Sequence, residues 1–259
     1  MPLPIDANAT VKQIATGFLF AEGPVFSRRG YLLFSDVDND RIMKWERGQT
    51  TVFRNASNRA NGLTFDHQGR LLTAEGGQEG GGGRITRTEK NGSITVLAAK
   101  DLQRPNDLVY AIDGSIYFTD LPASLVYQIT RQGQIRPVAD APAPNGLALS
   151  PNQQQLYIAG MKEPMVRVHD IEPDGRLKPG KDFASLRVDG LKTDESGNVW
   201  MASGEGISVF TAKREPLGGL KVPEVPTNCA WGDGFRTLYI TAGKSVYAIP
   251  TKAAGTRTF

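Results

Sequence analysis

One short phrase returns six times along this chain, at intervals of roughly forty residues. It reads Glu22-Gly-Pro-Val-Phe, Asn61-Gly-Leu-Thr-Phe, Asn106-Asp-Leu-Val-Tyr, Asn145-Gly-Leu-Ala-Leu, Asp189-Gly-Leu-Lys-Thr and Asn228-Cys-Ala-Trp-Gly. The opening residues are spaced 39, 45, 39, 44 and 39 apart. Each phrase begins with a carboxylate or carboxamide, runs through a short apolar stretch and reaches a second apolar segment. Those second segments begin at Tyr31, Arg70, Ser115, Gln155, Asn198 and Arg236. A fixed period of this length marks a repeat architecture. The segments inside it are short and rich in Val, Ile, Leu, Phe, Tyr and Thr, with Gly, Asp and Asn at the turns, which is the pattern of strands.

Counted in this way, the first repeat holds four strands: Pro24–Ser27, Tyr31–Asp36, Arg41–Glu46 and Thr50–Arg54. Six such units predict an all-β fold, a six-bladed β-propeller with four-stranded blades, as one domain over residues 1–259. The last repeat runs out after Ile249 without a fourth strand, while Val11–Ala15 precedes the first repeat without a partner. The N-terminal strand is therefore expected to complete the last blade and leave no edge open. The glycine-rich run Gly76–Gly83 reads as a long hairpin loop, with a flap over a site as the sharper alternative.

In a propeller the first strand of each blade lines the central channel, so the six opening residues form a ring around one mouth. Side-chain oxygens alone, with two carboxylates among them, suit a hard divalent cation such as Ca²⁺, then Mg²⁺ or Mn²⁺. Asn-Gly and Asp-Gly are also strong turn formers, the plainer reading for three of the six. The second strands return to the same mouth, which predicts Asp36, Glu75 and Asp120 near the ring. Their counterparts Gly160, Ser203 and Ala242 are small and leave room for a substrate.

Ala21-Glu-Gly-Pro-Val-Phe, Arg104-Pro-Asn-Asp-Leu, Pro144-Asn-Gly-Leu-Ala-Leu-Ser-Pro-Asn, Asp189-Gly-Leu-Lys-Thr-Asp and Thr227-Asn-Cys-Ala-Trp-Gly together resemble the gluconolactonase / senescence marker protein-30 family. The resemblance spans nearly the whole chain. It implies a metal-dependent lactonase site in the channel, with Glu22, Asn145 and Asp189 holding one divalent cation. Ca²⁺ comes first, with Zn²⁺, Mg²⁺ and Mn²⁺ as alternates. By the same resemblance Asn106 contacts the metal or the substrate, and Arg104 binds the substrate, with Asp120 placed beside them. The segment after Asp120 is shorter than the loop covering the site in many bacterial gluconolactonases.

The expected reaction is hydrolysis of a lactone, with a sugar lactone such as gluconolactone as substrate. Asp189 is assigned the general base as well as a metal ligand, with Asp107 or Asp120 in reserve. Asp107 directly follows Asn106 on a strand, so simple alternation points it away from its neighbour. Two other readings stay open: a phosphotriesterase using the same ion, and a non-catalytic binding propeller with a structural ion.

Other chemistries lack their residues. His67 and His169 read as surface residues rather than a channel dyad, and Cys229, the sole cysteine, reads as packing beside Trp231. There is no Gly-x-Ser-x-Gly elbow, and no Gly-Lys-Ser/Thr follows the glycine run. A net charge of +3 without a long basic run argues against nucleic acid as a partner. No apolar stretch approaches the ~20 residues of a membrane span. The first ten residues lack the basic and apolar regions of a leader, which favours the cytoplasm over a processed periplasmic form. No partner surface or oligomeric state can be read from the chain.

Overall fold

The computed structural model describes residues 2–78 and 81–257. Glu79 and Gly80, at the centre of the glycine-rich loop, lie outside the described residues. The described chain forms six antiparallel sheets of four strands, five of them built from strands consecutive in sequence. The sixth takes Pro226–Gly232, Thr237–Ala242 and Ser245–Pro250 and adds the N-terminal Lys12–Thr16 at its outer edge. Lys12 faces Ala248 and Thr16 faces Ser245 in that pairing. The ring is thus closed by the N-terminal strand, and the fold is the six-bladed β-propeller expected from the period.

The second strand of each blade is buried on both faces, which explains its unbroken apolar run rather than an alternating one. Leu71–Glu75, Ile116–Asp120 and Val199–Ser203 are buried at every residue. The outer strands are solvated, as in Gln49–Asn55, and carry the exposed Val52 and Phe53. The core is divided into six apolar clusters, each lying between neighbouring blades. Between blades five and six, Trp200 meets Trp231 edge to face with ring centroids 5.2 Å apart.

The inner strands are also stitched together around the channel by hydroxyls reaching into the next blade. Ser35 Oγ donates to the Asn61 carbonyl, Thr119 Oγ1 to that of Asn145 and Thr227 Oγ1 to that of Ala21, each at 2.7 Å. These bonds fix the backbone where the ring residues stand. No helix among the described residues is long and apolar enough to cross a membrane.

Candidate active site

Each inner strand carries a bulge near its start. In blade three, Pro105 pairs with Asp120 and Leu108 with Phe118, so Asn106 and Asp107 together oppose Thr119. The register breaks likewise after Glu22, Ala60, Pro144, Val188 and Pro226. A bulge suspends the alternation of faces. It also corrects the turn reading: Asn61-Gly62, Asn145-Gly146 and Asp189-Gly190 all lie inside inner strands.

The glycines in these pairs are there for close approach. A Cβ on Gly62 would strike Asp107, one on Gly146 the Asp189 backbone, and one on Gly190 the Asn228 carboxamide. Where the preceding blade has glycine at this position, the next blade's inner strand packs into the space that the missing side chain leaves. In blade three that glycine position is held by Asp107 itself.

Glu22, Asn145 and Asp189, drawn from three blades, are brought together. Asn145 hydrogen-bonds Asp189, whose charge is felt by Glu22. Asp107 joins them, against the alternation expectation. Its Oδ2 accepts from Asn228 Nδ2 at 3.3 Å, and Glu22 Oε2 accepts from the same nitrogen at 3.3 Å. Burial pushes the Glu22 carboxyl well above its usual range, and the Asp189 and Asp107 charges push it further. The Gly23 N–H and Asn228 bonds pull the other way. The Asp189 carboxyl is pushed up to about 7, by burial first and the Asp107 charge second, against the Asn145 bond. Asp189 lies deep in the channel yet keeps part of its surface open, whereas Glu22, Asp107, Asn145 and Asn228 are nearly sealed.

Buried carboxylates repelling one another, with carboxamides interleaved among them, form a cluster that a hard cation would relieve. Asn61 Oδ1, at another ring position, is buried with no hydrogen-bond partner among the described residues. No three His, Cys, Asp or Glu side chains among the described residues are arranged to hold a metal by themselves.

The three second-strand acids do not form a rim. Asp36, Glu75 and Asp120 are all fully buried. Asp36 accepts from the backbone of Leu19 and Phe20 and from Arg41, and Glu75 from Arg54, Arg84 and Thr86. Asp120 spends both oxygens on the backbone N–H groups of Gln103 and Arg104, at 2.7 and 3.0 Å. Asp120 therefore presents no exposed surface to a substrate, contrary to the expectation of contact. Its place is beneath the turn that delivers Arg104. Arg104 itself is exposed, with its side chain against Gly76, and Asn106 is half-buried on the inner strand.

The histidines divide. His67 is exposed and shares a hydrogen bond with the Tyr110 hydroxyl, but His169 is buried, with Nδ1 3.0 Å from the Lys178 carbonyl. The surface reading of His169 is thus corrected, because the neighbouring strand and Gly180 fold over its ring. Cys229 is fully buried and burial pushes its thiol up to about 12, so it is no nucleophile.

A cavity of about 440 Å³ occupies the other end of the channel, lined by later residues of the inner strands such as Phe26, Leu63, Leu108, Leu149 and Trp231. None of the six ring residues lines it. Its walls are mostly apolar and carry none of the clustered carboxylates. Lys192 stands between the two compartments. It lines the cavity, and its Nζ lies 3.4 Å from Asn228 Oδ1 and 3.8 Å from Asp107 Oδ2. Sequence reasoning kept Asp107 only as a reserve base, discounted by alternation, and passed over Lys192 and the linking role of Asn228. The one signal was that Asp107 stands where four of the other five phrases have glycine.

This chain is similar to a gluconolactonase of Zymomonas mobilis, 26% identical over 299 aligned positions that cover 97% of this chain and 84% of the relative. Among solved structures, a gluconolactonase from Xanthomonas campestris superposes with a TM-score of 0.89 at 29% identity, covering 96% of this chain and 91% of the other. A calcium-binding regucalcin from Agrobacterium tumefaciens reaches a TM-score of 0.82 over 100% of this chain and 99% of its own, but at 18% identity this is a likeness of fold alone. The family model for the SMP-30/gluconolactonase/LRE-like region matches residues 20–244, taking in all six ring positions. With its blades, its bulged inner strands and most of its length accounted for, the chain belongs to the SMP-30/gluconolactonase/LRE-like family.

Proposed function

We propose that this protein is a lactonase that hydrolyses a small sugar lactone, with an aldonolactone such as gluconolactone as the substrate class. One divalent cation would be held by Glu22, Asn145 and Asp189, with Ca²⁺ the first ion to test and Zn²⁺, Mg²⁺ and Mn²⁺ after it. The observation that carries this reading is the convergence of two like charges, Glu22 and Asp189, away from bulk water, with Asn145 bonded to Asp189. The gluconolactonases it resembles support the reaction class.

The cation, when bound, would polarise the lactone carbonyl and favour the oxyanion that forms on it. Asp189 takes the proton of the attacking water, being the one acid of the cluster with open surface toward the channel. Glu22 is fixed by Asn228 and the Gly23 amide and serves to hold rather than to move protons. Arg104 and Asn106 would bind the hydroxyls and ring oxygen of a sugar lactone, with the Arg104 backbone N–H held by Asp120.

The experiment is hydrolysis of glucono-δ-lactone followed with a pH indicator, after EDTA treatment and after return of each cation. Asp189→Ala and Glu22→Gln are run beside the unaltered protein, and each is expected to lose about 100-fold or more. Phosphotriesters are assayed in parallel. A folded protein that binds a cation, cleaves the triesters and leaves lactones intact would replace the substrate class. One that binds a cation and cleaves neither would be a binding propeller.

A further inference from the structure

Three carboxylates, Glu22, Asp107 and Asp189, act on one another in the channel, and one ammonium, Lys192, meets them. Lys192 comes from the phrase that supplies Asp189, three residues along the same inner strand and beyond its bulge. Its Nζ donates to the Leu191 carbonyl at 3.0 Å and to Asn228 Oδ1 at 3.4 Å. It stands 3.8 Å from Asp107 Oδ2, with Asp107 only 3% exposed.

Asn228 joins the two signs of charge. Its Oδ1 takes Lys192 and the Cys229 N–H, which turns its Nδ2 toward both Glu22 and Asp107. The orientation of that amide is thus set by its partners on both sides. With all three carboxyls ionised, as a bound cation would require, three negative charges against one ammonium leave two uncompensated, the charge of a single divalent ion.

We propose that Lys192 is a built-in counter-ion of the cation site: it neutralises Asp107, limits the cluster to one divalent ion and keeps that ion exchangeable. The inference rests on the cation site of the proposed function. An ammonium beside the cluster repels an incoming divalent ion, while Asp107 attracts it. The pair therefore contributes little net charge, and each member alone contributes much.

Calorimetric titration of the EDTA-treated full chain with Ca²⁺ at pH 8 tests this without reference to catalysis. Lys192→Met is expected to tighten binding by about tenfold or more, and Asp107→Asn to loosen it by about the same factor. Lys192→Arg and the double variant Lys192→Met/Asp107→Asn should each stay within about threefold of the unaltered protein. Circular dichroism establishes which variants are folded. Unchanged or weaker binding in folded Lys192→Met overturns the proposal. If that variant does not fold, unchanged affinity in Asp107→Asn overturns it instead. Absence of Ca²⁺ binding in the unaltered protein would sink the cation site itself, which separates the failure of that reading from the failure of this one.

Discussion

Asp189 carries a carboxyl pushed up to about 7, above its unfolded value near 3.8, and Glu22 is raised in the same direction, both by burial before anything else. The folded, metal-free chain therefore keeps a proton that the unfolded chain has already released. Stability from this source is fully present below about pH 4 and is lost as pH rises through about 7. Melting of EDTA-treated protein is expected to fall by roughly 5–10 °C between pH 5 and pH 8. Added Ca²⁺ should recover most of that loss at pH 8 and little at pH 5, where proton and cation compete for the same oxygens. A melting temperature indifferent to pH in EDTA would show that Asp189 and Glu22 do not repel in the folded chain.

At the scale of the strand, the bulge decides what the sequence could reveal. The period placed Glu22, Asn145 and Asp189 in one ring with three other phrase-opening residues, and it was the family resemblance that singled these three out. Asp107 was discounted and Lys192 missed, since reading faces by alternation fails once two residues oppose one, as Asn106 and Asp107 oppose Thr119. Asp120 was misread for another reason. Its partners at Gln103 and Arg104 lie 17 and 16 positions away, and no local pattern announces them. The glycines of the inner strands were legible as glycines but not as spaces. Gly190→Ala would drive a methyl group into the Asn228 carboxamide, whereas Gly204 has nothing within 4 Å. Gly190→Ala is expected to destabilise by about 1–3 kcal/mol, and Gly204→Ala by less than about 0.5 kcal/mol. Denaturant titration of the two variants makes the comparison, and equal effects would remove the packing argument.

Across the whole molecule, the blades and their closure were legible from an unpaired segment at each end. The structure adds how thoroughly the seam is sewn. Thr16 and Ser245 share a hydroxyl bond at 2.9 Å, Ile5 bridges Thr251, and Leu3 and Ile5 pack on the cluster between blades five and six. A chain lacking residues 2–16 leaves the edge of blade six bare. It is expected to melt more than about 10 °C lower and to aggregate at the lower temperature. A cooperative melt at the original temperature would mean that the seam holds nothing.

The same seam has a meaning in time. Five blades join strands that follow one another directly, so each can form as soon as its own segment is present. The sixth waits for residues 229 positions apart in the Thr16–Ser245 contact. Bringing such distant ends together costs roughly 3–4 kcal/mol more than closing a four-residue turn, a debt of chain entropy settled only once the ladder and its apolar backing are in place. Local blades therefore come first and the circle last. The proposed cation site is assembled at the moment the ring shuts, since Glu22 meets Asn228 across that final junction.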